Sequence, residues 1–150
     1  MQDIIQFFSA MLTPVIAIVT VYIAIQQYRL SKFRTRHELF ERRSAVYKAV
    51  MIFLRETTRL DHNMDESLSH FMGDTADSFF LFKSEINDHI ESLYLKGIDL
   101  WKINEDLKVT SLKKDERRLL TKKRLELVTW FGEQINITRD KFHKYLALDA

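Results

Sequence analysis

Arg139 and His143 lie four residues apart in the segment ITRDKFHKY, a spacing that puts both on one face of a helix. A guanidinium beside an imidazole could stabilise a pentacovalent phosphate and move a proton, the two needs of RNA cleavage. With eleven Arg and five His in the chain, such a spacing also arises by accident. His62, Asp65, Glu66 and His70 are close in sequence, but they do not pair two histidines at i, i+4 as a helical zinc motif does. They read as a solvated acidic loop, and Asp88–His89 reads as a surface pair. The sequence has no glycine-rich phosphate loop, nucleophile elbow or zinc motif. It has no cysteine, which excludes disulfides, thiolate metal sites and thiol catalysis. No cofactor or metal is expected, and no small-molecule substrate is evident.

The elements that must carry these residues divide the chain in two. Before Arg29 there is no Lys or Arg, and Asp3 is the only acid; the remaining charge lies beyond Tyr28. Ile4 to Ile25 is 22 residues without a charge. As a helix it would be roughly 33 Å long, enough for the roughly 30 Å hydrocarbon core. A signal peptide would need a basic start and a shorter apolar stretch, whereas this chain starts MQD. Residues 1–28 therefore read as a retained transmembrane helix and 29–150 as a cytosolic helical bundle. Arg29, Lys32, Arg34, Arg36, Arg42 and Arg43 follow the span, against Glu38 and Glu41. Basic flanks stay cytoplasmic, so the N-terminus is expected outside. The same cluster can attract anionic headgroups, at about 1 kcal/mol per residue near the surface. The lipid bilayer is thus an expected partner.

The apolar run carries a line of exceptions. Asp3, Gln6, Ala10, Thr13, Ala17, Thr20, Ala24 and Gln27 follow alternating steps of three and four, and Ser31, Arg34, Glu38 and Glu41 continue them. Such steps average 3.5, the period of a left-handed supercoil. Small groups let helices approach closely in lipid, and Thr and Gln can hydrogen-bond across the contact. The line from Gln6 to Gln27 is expected to face other copies or a lumen, with Phe7, Phe8, Ile18 and Ile25 facing lipid. A homo-oligomer follows. Pro14 removes a backbone bond near Ala10, where a kink could affect gating.

The whole chain has three glycines and one proline in 150 residues, and the prior is all-α. Leu39, Val46, Val50 and Phe53, with Phe40, Tyr47, Met51 and Leu54, repeat at helical spacing and predict a helix from about Ser31 to Leu60, continuous with the apolar run. A polar stretch ending at Gly73 reads as a loop with one short helix. Phe79, Phe82, Ile86, Ile90, Leu93, Gly97 and Trp101 predict a second helix, from Thr75 to about Leu107. Gly97 costs it about 1 kcal/mol, which close packing or a kink would explain. Ser111 is a candidate cap for a third helix from about Lys113 to Leu146. Its core face is Leu120, Leu127, Val128, Phe131, Ile135, Phe142 and Tyr145, with Trp130 beside it. The result is an up-and-down bundle.

Charge is zoned. Residues 113–124 carry Lys113, Lys114, Arg117, Arg118, Lys122, Lys123 and Arg124 against two acids, whereas residues 56–106 carry twelve acids and four bases. Solvated helix faces and pairing within the bundle account for this. A basic binding face for RNA or lipid is the sharper reading.

The stretch LTPVIAIVTVYIAIQQYRLSKFRTRHELFERRSAVY resembles small bacterial membrane proteins. They share Thr-Pro in the apolar helix (Thr13, Pro14), a YIA-x-QQ exit (Tyr22 to Gln27) and a basic LF-x-RR-x-x-VY helix start (Leu39 to Tyr47). The resemblance covers about residues 11–47. The best understood of the proteins it resembles are the transmembrane accessory proteins of RNA-targeting type VI-B CRISPR systems. That resemblance implies a bacterial inner-membrane helix, a HEPN-like helical domain, ring-like oligomers with a pore, an RNA-guided effector partner and a role in antiviral defence. HEPN nucleases carry Arg, a polar residue, and a His after four to six intervening residues. Arg139–Asp140 fits the start, but three residues separate Arg139 from His143. Arg55 and His62 have six between them, with Glu56 following the Arg. Three functions are therefore weighed: a pore-forming or membrane-perturbing oligomer, a membrane-tethered RNase, and a non-enzymatic scaffold for a cytosolic partner.

Overall fold

The structure is a computed structural model. It describes the backbone of residues 2–59, 63–111 and 113–147, and side chains from residue 14 onward. Five helices follow one another: α1 (Gln2–Thr57), α2 (Met64–Asp74), α3 (Ser78–Leu81), α4 (Ser84–Lys108) and α5 (Lys114–Leu146). The chain is all-helical, as its composition predicts, and no strand occurs among the described residues.

α1 runs without a break through Pro14. The chain divides into two compact units between Leu39 and Phe40, inside this helix. In the first unit, residues 14–39 are all exposed. Among the described residues, no helix is long and apolar enough to cross a membrane. The uncharged run read as a transmembrane helix straddles that limit: ten of its 22 residues, 4–13, precede the first described side chain.

The second unit is the helical body. Its part of α1 buries Val46, Val50, Met51, Phe53 and Leu54 as read from the sequence, with Phe40 and Tyr47 half-buried; Leu39, read into the same face, is exposed, since it precedes the packed body. α2 adds Met64, Leu68 and Phe71, α4 adds Ile86, Ile90, Leu93 and Leu100, and α5 adds Phe131 and Phe142. Aromatic rings tie these helices together. Phe53 of α1 stacks on Phe71 of α2 at 4.2 Å and meets Phe131 of α5 edge-on at 5.9 Å, and Tyr47 packs on Phe142 at 5.4 Å. α4 packs against α5, α2 and α3.

The long helix predicted from Thr75 is two pieces. α3 ends at Leu81, and both Phe82 and Lys83 are extended (φ −131°, ψ 164° and φ −76°, ψ 167°), so α4 starts afresh at Ser84. Phe82 remains in the core, but Phe79, one helical turn before it, is 73% exposed. At Gly97 the structure decides for close packing, since α4 continues through it. An added Cβ would lie 2.8 Å from Leu68 Cδ2 and 2.9 Å from Phe53 Cζ. The helix after the basic turn begins at Lys114, with Lys113 as its cap in place of Ser111. The Lys113 N–H donates to the Glu116 carboxylate at 3.4 Å.

Candidate functional site

In the first unit the described side chains form an exposed apolar surface. From Val15 to Ile25 every Val, Ile and Tyr is exposed by about half or more, and Tyr28, Leu30 and Phe33 continue the series. Of the line read as a seam, Ala17, Thr20, Ala24 and Gln27 have described side chains; those of Gln6, Ala10 and Thr13 lie outside the described residues, as do those of Phe7 and Phe8. Thr20 Oγ1 donates to the Ile16 carbonyl at 2.8 Å. Its only proton is thus used within the helix, and across a contact Thr20 can act only as an acceptor. Gln27 is the residue of this group with amide protons to offer a neighbour.

The basic cluster is not uniform. Arg29, Lys32, Arg34, Arg36 and Arg42 are exposed. Arg43 is half-buried and held by the body: its Nε donates to the Leu81 carbonyl at 3.1 Å and its Nη1 to the Tyr145 carbonyl at 3.5 Å. Its guanidinium also lies 5.9 Å from the Phe82 ring centre and 5.7 Å from that of Tyr145. One cation thereby joins α1 to the C-terminal ends of α3 and α5, where free carbonyls attract positive charge.

The second basic group also splits. Lys113, the cap, is exposed, as are Lys114, Arg118 and Lys122 along α5, with Lys122 4.0 Å from Glu126. Arg117 instead donates to the carbonyls of Leu107 (3.2 Å) and Val109 (3.0 Å), closing the end of α4. Arg124 is half-buried, and Lys123 borders an open groove of about 580 Å³ between α4 and α5. Ile103, Leu120, Leu127 and Trp130 line this groove. Three bases (Lys96, Lys102, Lys123) and three acids (Asp99, Asp106, Glu126) share its rim, so it selects neither cations nor anions.

Arg139 and His143 do fall on one face of α5, and both are exposed. Neither has a side-chain partner among the described residues, and neither lines a pocket described there. Beside them, Glu85 of α4 binds Lys144 and lies 3.6 Å from Lys141. The Lys144 hydrogen bond, opposed by burial and aided by the charges of both lysines, holds the Glu85 carboxyl below its ordinary range; the same bond raises Lys144. Of the acidic stretch, Asp65, Glu66 and His70 lie on α2 rather than in a loop, with His70 3.9 Å from Glu66; His62 lies outside the described residues. No group of three potential metal ligands occurs among the described residues.

The titratable group that the sequence reading missed is His89. Asp88 is exposed as expected, but His89 is 8% exposed and its Nε2 lies 2.8 Å from Thr138 Oγ1 across the α4–α5 contact. The signal was present, since 86, 89, 90, 93 and 97 share one helical face. Burial, with the Lys141 charge adding to it, lowers its pKa from 6.5 to about 4. The unfolded chain therefore binds a proton in the window from pH 6.5 down to 4 that the folded chain refuses. The stability from neutral His89 is complete above 6.5 and is lost as pH falls through that window, by up to about 3 kcal/mol. His89→Gln is expected to flatten this part of a stability-versus-pH curve. An unchanged slope between pH 6.5 and 4.5 would sink the assignment.

The chain thus comprises an all-helical body from Phe40 onward and, in the first unit, a helical stretch whose described side chains, 14–39, are all exposed. No family model, curated protein or solved structure matches the chain.

Proposed function

We propose that this chain is a single-pass membrane protein that works as a homo-oligomer, N-terminus outside and helical body in the cytoplasm. The observation that carries the reading is the uncharged run from Ile4 to Ile25 at the head of an unbroken helix. Its described half has no protein cover. Burying exposed side chains of this kind gives roughly 1.5–3 kcal/mol each, and a bilayer covers them all. A lone anchor gives no reason for small and polar residues to be sorted onto one line, whereas close helix packing in lipid does. The role is inferred from the resemblance of residues 11–47 to small bacterial membrane proteins, whose best understood members are type VI-B CRISPR accessory proteins: a pore-forming or membrane-perturbing accessory in antiviral defence, with a HEPN-like body.

An RNase reading would rest on Arg139 and His143. That pair stands on an open helix surface, where water competes for a phosphate and nothing holds the donors in place. A scaffold for a cytosolic partner, an RNA-guided effector included, uses the same membrane assembly without conduction.

The test is native mass. Purified in detergent, the protein is expected to run as a multiple of one chain. Ala17→Leu with Ala24→Leu widens the line and is expected to shift it toward monomer, while Ile18→Leu leaves it unchanged. A monomer at every concentration would overturn the reading. Ion flux through liposomes holding the oligomer separates pore from scaffold.

A further inference from the structure

We infer that a second copy of this chain packs along one exposed ridge of α1 in the helical body, made of Glu41, Ala45, Lys48, Ile52 and Arg55. The inference rests on the homo-oligomer reading and extends it to the body. The five residues follow steps of four and three from Glu41, the same stepping that runs from Asp3 through Ser31, Arg34 and Glu38. Ala45 stands three heptads after Ala24 and returns a small residue to the line.

Which side of α1 the body leaves open is decided by the body's own packing. Val46, Val50, Phe53 and Thr57, with Met51 and Leu54, turn into the core. All five ridge residues are exposed. In the sequence, these exposed positions continue the three-and-four stepping of the apolar segment. A second observation points to a protein partner. Among the described residues from 40 to 59, Ile52 is the one large apolar side chain left exposed, at 54%, and it falls on the ridge. Copies anchored through one apolar helix are parallel in the membrane, so each ridge meets the same layers of its neighbour. Ala45 permits close approach, and Ile52 supplies apolar area to bury. Lys48 and Arg55 lay their stems along the contact and keep their charges at its edges. A line of 3.5-residue steps holds such a contact when the helices supercoil left-handedly.

The absence of cysteine makes the test direct. Single Ala45→Cys, Ile52→Cys and Ala17→Cys variants of the full chain, in native membranes, are oxidised mildly and run without reductant. Thr121→Cys, exposed on α5, is the control. Disulfide-linked dimer is expected at positions 17, 45 and 52, at least tenfold above position 121. Dimer at 17 with none at 45 and 52 overturns the ridge and leaves the membrane oligomer standing. No dimer at any position overturns both, and equal yields at all four report random collision and also overturn the ridge.

Discussion

Phe53→Ala is expected to destabilise the helical body by about 3–5 kcal/mol. The ring is 2% exposed and sits where α1 meets three other helices. It stacks on Phe71 of α2 with planes 20° apart, meets Phe131 of α5 at 86°, and puts its tip against Gly97 of α4. Each aromatic pair adds about 0.5–1.5 kcal/mol beyond the buried area. Truncation leaves a hole that rigid neighbours cannot refill: Phe131 is itself fully buried, and Phe71 is nearly so. Against a total of about 5–15 kcal/mol for an ordinary domain, this is a large share. Denaturant unfolding of the full chain, followed by helical circular dichroism, measures it. A loss below about 1 kcal/mol would mean that Phe53 is not the junction of the core.

That junction was legible in the sequence in part. The face 46, 50, 53 with 51 and 54 follows from period alone, and so do Ile86, Ile90 and Leu93 on α4. The break at Phe82 and Lys83 was not legible. Phe79, Phe82 and Ile86 keep helical spacing across it, so an extended dipeptide between two helices leaves the period undisturbed. Arg43 shows a different limit. Its sequence neighbourhood is basic and suggests a headgroup, but its partners are carbonyls 38 and 102 residues away, at helix ends that only the fold brings together. His89 misled because Asp88 precedes it, although its helical face was already that of the core.

The candidate surfaces divide along the same physical line. Period and composition carry the exposed line on α1, because one helix fixes its own faces. The basic run 113–124 could not be read in this way. Arg117 is spent on the carbonyls that end α4 and Arg124 is half-buried, while Lys114, Arg118 and Lys122 stay out, and which charge is spent on structure depends on the turn from α4. Arg139 and His143 are on one face as their spacing requires, but spacing alone does not give the surrounding walls and donors that would make a site.

The second large effect is expected at Gly97, and its sign turns on the same ring. A Cβ there would meet Leu68 Cδ2 at 2.8 Å, Phe53 Cζ at 2.9 Å and Met64 Cε at 3.4 Å. Overpacking of this kind costs about 1–3 kcal/mol, and a larger side chain more; alanine's helix propensity returns about 1 kcal/mol. The ends of Leu68 and Met64 can turn aside. Phe53 cannot, since Phe71 and Phe131 hold both its face and its edge. Gly97→Ala is therefore expected to be mildly destabilising and Gly97→Leu to cost about 3 kcal/mol or more. In a Phe53→Leu background the ring tip is gone, and Gly97→Ala should become neutral or stabilising. The two changes are expected to couple by about 0.5–3 kcal/mol in a double-mutant cycle. Equal costs of Gly97→Ala in both backgrounds would show that the ring is not what holds this position to glycine. The contact would then have to be sought at Leu68, the other atom within 3 Å.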